Sequence, residues 1–348
     1  MVADAQVAKL MWEQKTLFPE GWVFGNQYYF FATPVVSALF FGLFGSSTFA
    51  LGAASTAMGG MLLVCFAWML RPFTKRDSLS AGVLAIGGAV ILGVSICNCI
   101  SGMQLLYTMA SYYACYLIGM LLVVGVYLRQ LHSLPVGKFP ATAALTLSFA
   151  LGMQSLRETL ILILPLIAYH CLLLLKKERN RQATLFVIAA SALNLAGVFC
   201  ARFFPAKSNP MISGFSVPSS LANLLQGVRE ALWQFRGITG LQYFSYDLKW
   251  KPLFVLAVGI CTTGVAALVL SVIKKQTENA AVKTLLHLSL LSLLAVAAVK
   301  VFLGFVVRTA YFFIWFLLCA ASFTYLLEIL PKVSQDGCLA FFCSAAAR

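Results

Sequence analysis

Residues 48–76 read TFALGAASTAMGGMLLVCFAWMLRPFTKR. The stretch 48–70 carries no charge, and Arg71, Lys75 and Arg76 follow it at once. At 1.5 Å per residue a helix of that length crosses the ~30 Å hydrocarbon core of a bilayer. A cluster of bases at one end is what a cytoplasmic boundary looks like. The pattern recurs at 82–101, 106–128, 140–156, 159–175, 183–203, 253–273, 284–303 and 309–330. The composition agrees: 61% of the 348 residues are hydrophobic and 10% are charged, where soluble domains run nearer ~25% charged. A closed β-barrel needs short alternating segments, and the chain has none. The predicted fold is all-α: a polytopic transmembrane helical bundle of about nine spans.

Basic connections alternate with near-neutral ones. Arg71/Lys75/Arg76, Arg129/Lys138, Lys176/Lys177/Arg179/Arg181 and Lys274/Lys275/Lys283 mark one side; 102–105, 157–158 and 304–308 mark the other. Parity puts the long 204–252 connection outside, so it is a non-cytoplasmic loop. The span at 48–70 then runs inward. The preceding apolar run, 28–45, contains Pro34 and is either a full span or an interfacial or re-entrant helix; in the second case residues 1–47 all lie outside.

The expected organisation is a first outer loop with a juxtamembrane helix (1–47), a first half of the bundle (48–203), the outer loop (204–252), a second half (253–330) and a short tail (331–348). Within the outer loop, Ser219 or Ser220 can cap a helix. Leu221, Leu224, Leu225, Val228, Leu232 and Phe235 recur on one face of it, away from Gln226, Arg229 and Glu230. That face suits the membrane surface or the bundle equally. Trp233, Tyr243, Tyr246 and Trp250 fit an interfacial aromatic belt.

The formal charge of +14 does not indicate nucleic acid, because the Lys and Arg residues sit mostly at the ends of apolar runs. Most of the ten cysteines, Cys65, Cys115, Cys171, Cys200, Cys261 and Cys319 among them, lie inside apolar runs as small hydrophobes. Cys97 and Cys99 form a C-x-C, but with three scattered histidines (His132, His170, His287) no zinc pattern emerges. No motif calls for a cofactor; a divalent metal requirement is left open by the sequence.

Candidate chemistry rests on ionisable groups of the predicted outer face. Arg157, Glu158, Lys300 and Arg308 stand at helix ends, where the plain reading is that they snorkel to the interface. Arg157 and Glu158 also invite a local ion pair. The sharper reading is a site: several bases at one membrane face suit a lipid-linked phosphate, which Arg binds through paired hydrogen bonds. An acid in the same cavity could take a proton from an acceptor hydroxyl.

The first seventy-odd residues resemble the start of GT-C superfamily glycosyltransferases, of the protein-mannosyltransferase and aminoarabinose-transferase type. The residues carrying the likeness are Asp4, Met11-Trp12, Leu17-Phe18-Pro19, Trp22, Tyr28-Tyr29, Thr33-Pro34-Val35 and Leu43-Phe44-Gly45, with Arg71 and Lys75-Arg76 closing the next span; Arg308-Thr-Ala-Tyr311 is similar towards the C-terminus. The resemblance implies that 28–45 is interfacial and that the protein is a multi-pass transferase of a plasma membrane, with the bacterial one favoured by short connections and no N-x-S/T in the outer loop. A sugar would pass from a polyprenyl-phosphate donor to a glycan, lipid or protein acceptor, with inversion. Asp4 matches the family's loop acid, which implies a role as catalytic base or in positioning the acceptor; Arg308 and Arg157 match the arginines that hold the donor phosphate. Glu158 is the candidate second acid, since Ala5 stands where the family places one beside the first. The family's first span and its last ones have no counterpart here, so the chain reads as truncated at both ends. A transporter or lipid flippase, or a non-catalytic or truncated membrane subunit, is the alternative.

Overall fold

The computed structural model describes residues 2–25, 27–73, 114–178, 180–205, 220–239 and 280–303. Three of the nine expected spans, 82–101, 253–273 and 309–330, lie outside them, as does the tail. Every regular element among the described residues is helical. In chain order they are α1 (Val2–Gln14), α2 (Thr33–Phe44), α3 (Ser47–Leu70), α4 (Ala114–Leu131), α5 (Lys138–Gln154), α6 (Leu164–Leu175), α7 (Arg181–Cys200), α8 (Leu221–Thr239) and α9 (Ala280–Leu303). Among the described residues, four helices are long and apolar enough to cross a membrane: Ser47–Met69, Ala114–Leu131, Arg181–Phe203 and Ala281–Phe302.

α2 is not among them. Pro34 sits in its first turn, where a missing N–H costs nothing, and Gly45 ends it at φ 64°, its N–H bonded back to Phe41 O. Twelve residues make about 18 Å of helix, well short of a bilayer core. Its buried side carries Thr33, Pro34, Ser37 and Ala38. α1 packs on it, with Trp12 so close to Gly42 that a Cβ there would lie 2.3 Å from Cζ2.

α4 is the axis of the bundle. From Ala114 to Leu128 every residue but Leu122 is buried, as expected of a helix that is apolar all round. α3, α5 and α7 pack on it, and Gly125 receives the ring of Trp68. α5 and α7 meet through glycines. A Cβ on Gly152 would fall 2.2 Å from Asn194 O, and one on Gly197 would fall 2.1 Å from Phe149 O. Small residues that let backbones approach are the usual glue of membrane helices.

Between α5 and α6 the helix breaks. Ser155 is extended, and Thr159–Ile163 winds as a π-helical turn. Pro165 explains the widening: its ring would clash with the carbonyl of Ile161 in an α-helix, and it has no N–H to offer. Thr159 Oγ1 donates to Asn194 Oδ1 at 2.6 Å, and Asn194 Nδ2 donates to Ser148 O at 2.9 Å, so α7 holds the turn in place.

α8 begins where Ser220 accepts from Asn223 N, the second of the two expected caps. It packs against the end of α9 by a face other than that of Leu221, Leu225 and Leu232. Ala231 is buried, a Cβ on Gly227 would lie 3.2 Å from Val301 Cα, and Glu230 pairs with Lys300 at 2.5 Å. Lys300 therefore does not snorkel. Leu221, Leu225 and Leu232 remain 73%, 58% and 64% exposed, with Trp233 exposed beside them.

The described connections gather at two ends. At one, Asn180 Nδ2 donates to Gln130 O and Leu131 O, and Arg129 Nη2 donates to Trp68 O at 2.7 Å with its guanidinium 4.4 Å from that ring. Arg71, Lys176, Lys177 and Arg181 lie on the same connections. At the other end sit residues 15–25 and 27–32, the break at 155–158 and the end of α7.

Candidate functional site

That second end is built on an aromatic layer and a polar layer. Phe18, Phe24, Tyr28, Phe30 and Phe204 stack edge to face or in parallel, with Phe18 and Phe204 centroids 5.0 Å apart. Tyr28 OH also donates to Pro205 O. The first loop is thereby joined to the start of the long loop at 204–252.

The polar layer lies beneath. Because α5 stops at Gln154, its carbonyl has no helical donor, and Tyr28 N supplies one at 3.1 Å. The Gln154 side chain accepts from Phe30 N and Phe31 N at 3.2 and 3.3 Å, and donates to Tyr116 OH at 3.2 Å and Cys115 Sγ at 3.4 Å. Tyr116 OH donates to Gln27 Oε1 at 3.0 Å and lies 2.9 Å from Ser155 Oγ. Ser155 Oγ accepts from Arg157 N at 3.2 Å. The Arg157 guanidinium donates from Nη1 to Gln27 Oε1 and lies 5.6 Å from the centre of the Tyr116 ring.

Arg157 is 1% exposed and Glu158 2%, which overturns the snorkelling expectation for both. Protein rather than water surrounds them, since the first loop closes over this connection. Nor do they form the expected ion pair: among the described residues neither Glu158 oxygen has a hydrogen-bond or ionic partner. The carboxyl lies instead against the bare face of Gly119, where a Cβ would be 3.3 Å from each oxygen. Burial pushes it well above the ordinary carboxylate range, which favours the protonated form.

Asp4 is buried on α1, in the first turn. Burial raises its carboxyl as well. The same helix contributes Val7, Ala8 and Met11 to a small core with Phe24, Tyr28 and Ala38, and Tyr28 is bonded to Gln154. Asp4 and Arg157 thus belong to adjacent layers tied by residues 27–31. Arg308 lies outside the described residues, as do Cys97 and Cys99. No group of three or more His, Cys, Asp or Glu able to hold a metal ion occurs among the described residues.

Sequence reasoning missed Gln27, Tyr116 and Gln154. Gln154 carries a faint signal, an amide ending an apolar run, but nothing local marks the other two. No protein-family model matches this chain, and no curated protein or solved structure matches it.

Proposed function

We propose that the chain is a membrane glycosyltransferase that moves a sugar from a polyprenyl-phosphate donor to a glycan, lipid or protein acceptor at the outer face. On this reading the end bearing residues 15–25, 27–32, 155–158 and 201–205 is the outer one, and the basic end is cytoplasmic. Asp4 takes the proton of the acceptor hydroxyl. Arg157, joined by Arg308, holds the departing phosphate and stabilises the charge that develops on it. A single acid acting as base corresponds to direct displacement with inversion. The plasma membrane of a bacterium is the proposed location.

One observation carries the reading. Gln27 and Arg157 are 130 positions apart, yet the first loop is hydrogen-bonded onto the Arg157 connection through Gln27, Tyr28, Phe30 and Phe31. An acid-bearing outer loop seated over a buried arginine is the arrangement such a transfer needs. The α2 helix, too short to cross, supports the interfacial reading of 28–45. The transporter alternative finds its best support in the buried Glu158, which stands at the end of two helices rather than in mid-span.

The test is transfer of radiolabelled sugar from polyprenyl-phosphate donors in membranes containing the chain, compared between the parent and Asp4→Asn. A general base contributes about 10²–10⁴-fold, so the variant should fall by at least ~10²-fold while remaining folded. Equal transfer by both proteins would remove Asp4 from the chemistry.

A further inference from the structure

Gln27 is buried, and its carboxamide is oriented by its surroundings. Oε1 accepts from both Tyr116 OH and Arg157 Nη1, and a flipped amide would set N–H against those two donors. Nε2 is therefore the remaining donor of this group, and it has no partner among the described residues. Glu158 is another buried group whose polar atoms find no partner among the described residues, as is true of several serines elsewhere in the bundle. Gln27 and Glu158 flank the same stretch of α4. Arg157, bonded to Gln27, stands over Tyr116, and Glu158 lies against Gly119, three residues and one helical turn farther on.

Buried polar groups without partners cost about 1–3 kcal/mol each, and native proteins retain few of them. Their character selects the ligand. A neutral carboxyl offers one O–H donor and one carbonyl acceptor, and the amide adds a second donor. A phosphate would want donors alone, and a cation would want acceptors alone. Hydroxyl groups, which both donate and accept, match such a set of atoms. We infer that Glu158 and the Gln27 amide form a subsite for the hydroxyl groups of an uncharged sugar, one turn along α4 from the arginine that takes the phosphate. This assignment rests on the donor reading above. The π-helical turn held by Thr159 and Asn194 is what presents Glu158 to this face.

The test uses the whole chain in lipid nanodiscs with two probes, a polyprenyl phosphate and the same lipid carrying a hexose. The parent should bind the hexose-bearing lipid more tightly. Glu158→Leu should lose about tenfold or more of that affinity while binding the bare phosphate within about twofold of the parent. It should also melt at a higher temperature without ligand, since an unsatisfied buried carboxyl has gone. Glu158→Gln, which keeps the shape and neutrality, should bind the hexose lipid within about threefold of the parent. Unchanged discrimination by Glu158→Leu would overturn the subsite and leave the donor reading intact. Loss of hexose-lipid binding by Glu158→Gln would mean that the ionised form is needed, which contradicts a hydroxyl subsite of neutral groups; this variant decides the matter if the leucine one does not fold. A parent that binds neither lipid would overturn the donor reading, and the subsite with it.

Discussion

The two ends of the bundle carry charge in opposite ways. At the basic end, Lys176, Lys177 and Arg181 are exposed, and the part-buried bonds run from Asn180 and Arg129 to backbone carbonyls. At the aromatic end, Arg157 and Glu158 are wrapped in protein, and Arg157 is tied into a network with Gln27, Tyr116 and Gln154. Exposed charges at a helix end orient a membrane protein and ask little of the fold. Buried ones are costly to bring out of water and persist where something uses them. The contrast identifies the aromatic end as the one with chemistry to explain.

Three substitutions sharpen this contrast. Tyr116→Phe removes the hydroxyl that accepts from Gln154 and donates to Gln27. Leaving buried partners unsatisfied should destabilise the chain by about 1–3 kcal/mol, read as a lowered midpoint of thermal unfolding in detergent. A loss no larger than that of a surface substitution would mean that the network is not a unit.

Glu158→Gln gives a pH signature. When folded, Glu158 keeps its proton above the 4.5 at which the unfolded side chain loses it. Folding therefore binds a proton in that window. The contribution is full below pH 4.5 and is lost as pH rises toward the folded value, with a slope of up to ~1.4 kcal/mol per unit. The stability of the parent relative to the variant should fall from pH 5 upward. The Asp4 shift has the same sign but is common to both proteins, so the difference isolates Glu158. A flat difference would contradict a buried neutral acid.

The smallest effect belongs to the basic end. Asn180 caps α7 by accepting from Gln182 N and Ala183 N. Asn180→Ala should cost about 1 kcal/mol, the ordinary value of a cap, and leave transfer unchanged.

Much of the fold was legible in the sequence. Apolar runs mark α3, α7 and α9 to within a few residues, because a bilayer imposes length and apolarity on whatever crosses it. Pro34 and Gly45 bound α2 by backbone rules alone, and Ser220 starts α8 by the same kind of rule. The packing face of α8 was not legible. Periodicity finds the leucines, but lipid is as apolar as leucine, so inside a membrane protein the contact is made by Gly227 and Ala231 while Leu225 and Leu232 face away. Arg157 was visible as a charge at a helix end. Its burial was not, because that depends on Gln27 and Tyr116, which arrive from distant parts of the chain and bear no local mark.

The most direct measurement is sugar transfer from a polyprenyl-phosphate donor by Arg157→Lys and by Lys177→Gln, side by side in the same membranes. Arg157→Lys keeps the charge but loses the fork that grips a phosphate and bonds Gln27. It should drop transfer by about 10²-fold or more, while Lys177→Gln at the opposite end stays within about twofold of the parent. Transfer that survives in Arg157→Lys and fails in Lys177→Gln would place the chemistry at the basic end and contradict the proposal.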